Sequence, residues 1–150
     1  MRNTLGEAVS LKMVHPAVFV RDYKPGAQYP VLFPSLRTRL ARAAKPGHLF
    51  YLYLTGPVDA VVGLVQVTSQ YRKTRRDPLR PLEVPCDWVI GPKWPGVRLG
   101  EIGVLLRIEP GMSACALTRV QHETLRRALE AAPDMSQGQV EALRERGTQA

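Results

Sequence analysis

The stretch QYRKTRRDPLRP sets Arg72, Lys73, Arg75, Arg76 and Arg80 behind Tyr71, the densest positive charge in the chain. Guanidinium groups make paired hydrogen bonds to phosphate, and a neighbouring aromatic ring stacks on an exposed base, so this composition suits a nucleic acid. A second basic group, Arg37, Arg39 and Arg42, recurs in SLRTRLARAA, where Leu36, Leu40 and Ala43 share one helical face and the arginines take its flanks and back. The candidate base-stacking side chains are Trp88 in the short run DWVI, Trp94 in the turn GPKWPG, and Tyr29 and Phe33 in the proline-rich loop before the helix. Ser35, at the predicted helix start, adds a hydroxyl donor. Together these predict phosphate contacts along the basic residues and a single unstacked base between the aromatics.

The charge distribution narrows the partner class. Of the formal +8, residues 1–80 hold 13 basic against 4 acidic side chains, or +9, and residues 81–150 hold 8 against 9, or −1. A field of one sign over one half of a chain steers a polyanion and releases its counterions on contact. The same arginine excess also arises from compositional drift, since 16 of the 21 basic residues are Arg.

Other chemistries find less support. Asp22, Asp59, Asp77, Glu83, Asp87 and Glu101 stand at no motif spacing, so no catalytic residue is assigned. His15, His48 and His122 are scattered, and Cys86 and Cys115 stand far apart, so neither a metal site nor a cofactor is expected. No apolar run approaches the roughly 18 residues of a membrane span, and the polar start, broken by Lys12, His15 and Pro16, lacks a secretory pattern. The expectation is a cytoplasmic protein with free thiols and no membrane partner. Oligomeric state is not legible.

The elements that must position these residues centre on KPGHLFYLYLTGPVDAVVGLVQVT, a predicted hairpin over residues 48–68. Leu49, Tyr51 and Tyr53 point one way and Phe50, Leu52 and Leu54 the other, so both faces are apolar and both must be covered. Gly63 in the return strand predicts a bulge or close backbone approach. Residues 1–12 are expected to be loosely ordered, MVHPAVFV to form a first strand, and Ser35 to cap the basic helix. The prolines Pro78, Pro81 and Pro85 predict a long mobile loop around the Arg72 cluster. Further strands are expected over Val97–Ile108 and MSACALTRV. Thr118 with Gln121 opens a closing helix, and residues 132–150 form a loose tail or a short helix of a turn or two.

The segment LRTRLARAAKPGHLFYLYLTGPVDAVVGLVQVTSQ resembles the EVE and YTH-like branch of the PUA-like superfamily in its short helix, Lys-x-Gly turn, apolar strand and returning strand. ALTRVQHETLRRAL is similar to that branch's closing strand and helix. The resemblance spans residues 13–131 and departs at His48, where EVE members often carry an acid. It implies an α+β fold, a small curved mostly antiparallel β-barrel decorated by helices, that binds RNA or DNA without catalysis and in several members takes a modified base in an aromatic pocket. Two alternatives accompany it. Relatives of the ASCH type cleave RNA or hydrolyse modified nucleosides, and a basic loop can instead dock an acidic protein surface.

Overall fold

A computed structural model describes residues 8–149, with side chains to residue 146. Its core is a seven-stranded sheet in the order β2-β6-β4-β3-β1-β7, with the two-residue β5 pairing β6 off that path. The strands are β1 (Val9–Val14), β2 (Tyr29–Phe33), β3 (Leu49–Leu54), β4 (Ala60–Val67), β5 (Arg72–Lys73), β6 (Leu82–Ile90) and β7 (Ala114–Ala116). Pairing is antiparallel except between β1 and β3. The sheet curls strongly enough that Phe33 on β2 and Phe50 on β3 bring their rings within 6.0 Å. The result is a half-barrel of the α+β class, decorated by helices, as the sequence predicts.

The expected hairpin is the spine. Phe50, Leu52 and Leu54 enter one apolar cluster and Leu49, Tyr51 and Tyr53 the other. The first cluster is covered by α1 (Pro16–Asp22), α2 (Thr38–Ala43) and α4 (Gln137–Gln149), the second by α3 (Arg119–Ala131) and the irregular segment 97–112. Register slips after Leu52, opposite Gly63, which is the bulge that glycine predicts. A Cβ on Gly63 would stand 2.6 Å from Trp88 Cζ3, so the missing side chain is what lets that ring lie against the strand.

Several elements differ from expectation. The first strand begins at Val9, not Met13, and Val9 and Leu11 are buried, so the stretch expected to be loose is sheet from residue 9; residues 1–7 lie outside the described residues. MVHPAVFV is two elements. Its strand stops at Val14, and Pro16 opens α1, whose first amide, Ala17 N, donates to His15 Nδ1 at 3.1 Å. Proline at a first helical position loses no hydrogen bond, which is why a β-prone composition yields a helix here. Ser35 is not the helix cap but the start of a 3-10 turn, Ser35–Arg37, leading into α2.

Pro85 does not break β6, because its carbonyl accepts from Thr68 N at 3.0 Å and its nitrogen therefore faces away from β2, where Pro30 stands opposite. The strand expected over Val97–Ile108 is instead coil with a 3-10 turn, Leu99–Ile102, closed by Gly103 at φ 74. Thr118 and Gln121 form the expected capping box of α3. The helix in the expected tail is longer and better anchored than the turn or two its composition suggests: α4 buries Val140 and Leu143 and packs on α1. Two well-placed apolar residues suffice because α1 offers them a ready apolar face.

Candidate nucleic-acid interface

The basic stretch after the hairpin is fixed, not mobile. Arg72 and Lys73 form β5 and pair with Glu83 and Leu82 of β6. Glu83, whose side chain is 3% exposed, accepts from Arg72 Nε at 2.8 Å and Arg76 Nε at 3.2 Å. Asp22 receives both Nε and Nη2 of Arg21, at 2.8 and 2.9 Å. Asp77 accepts from Arg21 and Arg80, each at 3.1 Å, and from the Leu79 amide at 2.9 Å. Burial raises the Asp77 and Glu83 carboxyls, but the arginine hydrogen bonds outweigh it and hold both below their usual range. That direction is opposite to what a general acid at neutral pH requires.

This network changes which cations are available. Arg72 and Arg76, expected to hold phosphate, are engaged by buried carboxylates, whereas the exposed Lys73 and Arg75 have no ion-pair partner among the described residues. On the 3-10 turn and α2 the situation is simpler. Arg37, Arg39 and Arg42 are exposed and form no ion pair among the described residues, and Arg37 Nη2 donates to Gly111 O at 3.2 Å. Beside them Leu36 is 95% exposed, an apolar side chain in the middle of a cationic surface. Between α2 and the segment 109–114 runs a groove of about 300 Å³ that Arg37, Leu40, Met112 and Ser113 help to line. Its one acid, Glu109, is paired with Arg107 at 3.0 Å.

The groove adjoins a second cavity, of about 270 Å³, with which it shares Gly111, Met112 and Ser113. Lys12, His15, Thr55 and Arg80 also line it, and no carboxylate does. Lys12 is 4% exposed; its ammonium donates to Met13 O at 3.0 Å and Ser113 Oγ at 3.3 Å and lies 4.7 Å from the centre of the Phe33 ring. Burial, aided by the positive Arg80, lowers its pKa to about 7. With the first strand expected to begin at Met13, Lys12 falls in the stretch expected to be loosely ordered. The signal that locates it is the alternation of Val9, Leu11 and Met13, which turns Lys12 onto the other covered face of the sheet.

Of the five residues expected to form one base pocket, Tyr29 and Trp88 meet, with their rings edge-on at 5.5 Å, and the other three stand apart from them. Tyr29 and Phe33 are 1% and 0% exposed and belong to the core, so neither offers a ring face to a ligand. Ser35 is exposed, next to Pro34 at the Lys12 cavity. Trp88 lies at the opposite end of β2, where with Tyr23, Gln28 and Asp87 it lines a cleft of about 540 Å³. Its ring meets Tyr23 edge-on at 5.7 Å, and its Nε1 is buried without a hydrogen-bond partner among the described residues. Trp94 lines neither cavity; its amide donates to Pro133 O at 3.0 Å and its ring packs on the core. Among the described residues no group of His, Cys, Asp or Glu is arranged to hold a metal ion, and no helix is long and apolar enough to cross a membrane.

Neither a protein-family profile nor any curated protein matches the sequence. Solved structures do match the fold. A hypothetical protein from Leishmania major aligns at a TM-score of 0.61 and 16% identity, over 83% of this chain and 95% of that one. A protein from Pseudomonas syringae aligns at 0.60 and 14%, over 80% and 98%. The Mmi1 YTH domain, solved in complex with RNA, aligns at 0.57 and 10%, over 89% and 85%. The chain thus shares its fold with these proteins, the YTH domain among them, at identities that speak for architecture alone.

Proposed function

We propose that this domain binds single-stranded nucleic acid, RNA in the first instance, along the groove between α2 and the segment 109–114. The observation that carries the reading is a groove lined by Arg37, whose single acid is already neutralised, beside a helix on which Arg39 and Arg42 are exposed with no ion-pair partner among the described residues. Phosphates sit on these guanidinium groups, and exposed Leu36 and half-buried Met112 offer apolar contact to bases that leave the stack. Lys73 and Arg75 extend the positive field. Leu82 pairs with both Lys73 and Phe33, so these strands lie about 10 Å apart, near the start of the 3-10 turn. That a YTH domain of the same fold was solved with RNA supports RNA as the first ligand to test.

The test is fluorescence anisotropy with labelled single-stranded RNA and DNA. Replacing Arg37, Arg39 and Arg42 together by Gln should weaken binding about 10- to 100-fold at physiological salt, since each lost phosphate contact removes released counterions. Unchanged binding with an intact fold would refute the groove as the site.

A further inference from the structure

We propose that the Lys12 cavity binds a phosphate monoester, the terminal phosphate of a nucleic-acid strand or of a free nucleotide, with the Lys12 ammonium as its buried counter-ion; this deepens the nucleic-acid reading and rests on it for the strand-borne form. The first support is an imbalance. A buried ammonium is ordinarily neutralised by a carboxylate, because desolvating a lone charge costs several kcal/mol. Lys12 has no carboxylate partner among the described residues, and only neutral acceptors, Met13 O and Ser113 Oγ, touch its nitrogen. An ammonium has three donors, so one remains without a hydrogen-bond acceptor among the described residues. The missing partner is an anion.

The lining selects which anion. His15 Nδ1 already accepts from Ala17 N, so in the neutral imidazole the proton is on Nε2, which makes it a donor. Thr55 and Ser113 add hydroxyls, and Arg80, though paired with Asp77 through Nη1, retains further N–H groups. This is a set of donors with positive charge and no carboxylate, suited to an oxyanion with several terminal oxygens. A phosphodiester inside a strand has chain leaving on both sides. The cavity instead closes on the core behind Lys12, where Val14, Val18, Tyr29 and Leu32 leave only about 20 Å³. A chain end reaches this rear wall, whereas an internal phosphodiester with chain on both sides is held farther out, and a terminal phosphate also brings about twice the charge of an internal one. The shared Gly111–Ser113 lining places this end next to the groove through which the strand runs.

The experiment compares one short single-stranded RNA carrying a 5′-phosphate, a 3′-phosphate or hydroxyls at both ends, with a 5′-mononucleotide and inorganic phosphate as small probes. At pH 6.5 one phosphate-ended RNA should bind at least about tenfold more tightly than the hydroxyl-ended form. That ratio should fall to near one in Lys12→Met, whose fold is checked by thermal unfolding, and should shrink in Ser113→Ala. In the wild-type protein the NMR titration midpoint of the Lys12 ammonium should rise when the phosphate-ended RNA is added, a readout that needs no variant. If the hydroxyl-ended RNA binds and a terminal phosphate adds less than twofold, the inference fails while the groove reading stands. If no RNA binds but the mononucleotide raises the Lys12 midpoint, the groove reading fails and the free nucleotide is the ligand. If neither probe nor RNA moves Lys12, the cavity is not a phosphate site.

Discussion

Replacing Lys12 by Met should stabilise the domain and remove one component of its pH dependence. The native pKa of this lysine lies at about 7 against 10.5 for the free side chain. Between those values the unfolded chain holds a proton that the native chain lacks, so stability rises with pH through that window. Each pH unit contributes about 1.4 kcal/mol per proton, so the wild type should gain roughly 2–3 kcal/mol from this group between pH 7 and pH 9. The full destabilisation, present below pH 7, is on the order of 4–5 kcal/mol. Methionine is similar in length, carries no charge and suits the Phe33 ring, so Lys12→Met should be more stable at pH 6 and show no such gain. The assay is urea unfolding at pH 6, 7, 8 and 9 for both proteins, read as their difference. Taking the difference cancels the thiols, whose burial-raised pKa values lower stability at the alkaline end in both proteins. Parallel pH profiles for the two proteins would show that Lys12 is solvated or paired, and would refute the reasoning about its cavity.

Three further outcomes follow from the packing. Glu83→Gln should cost about 1–3 kcal/mol, less than a fully buried pair because Arg72 and Arg76 can turn to solvent. Since the native Glu83 pKa is depressed, its contribution is present above pH 4.5 and lost as pH falls through the native value, so acid unfolding should lose part of its slope in this variant. Gly63→Ala drives a methyl against Trp88 Cζ3 and should cost about 1–3 kcal/mol while shifting tryptophan emission as the ring is displaced. Leu143→Ala should cost about 2–4 kcal/mol, and hydrogen exchange in α4 should quicken more than in the hairpin, because Leu143 is among the few anchors of that helix.

What the sequence made legible was whatever a local pattern decides. The two-faced alternation of Leu49 to Leu54, the glycine at 63 and the Thr118–Gln121 box each act within a few residues, and each element stands where its pattern puts it. The misreadings came where distant partners decide. Val9 and Leu11 form a strand because β3 and β7 flank them, and α4 forms against α1, neither of which the local composition states. The basic stretch looked mobile because its compensating acids, Asp22, Asp77 and Glu83, are spread over sixty residues of sequence and meet only in the fold. For the same reason the aromatics looked like one pocket. Tyr29 and Phe33 lie at the two ends of β2 with side chains on its inner face, so strand geometry keeps them apart and buries both.

The most direct test of the central claim is the salt dependence of RNA binding by the intact chain and by the variant with Arg37, Arg39 and Arg42 all replaced by Gln. For single strands log K should fall with log salt at a slope of about −0.7 per phosphate contact, so the variant's slope should be shallower by roughly 2 while its unfolding temperature stays near that of the wild type. Binding that ignores salt, or equal slopes in the two proteins, would contradict phosphate contact at α2 and with it the nucleic-acid reading of this surface.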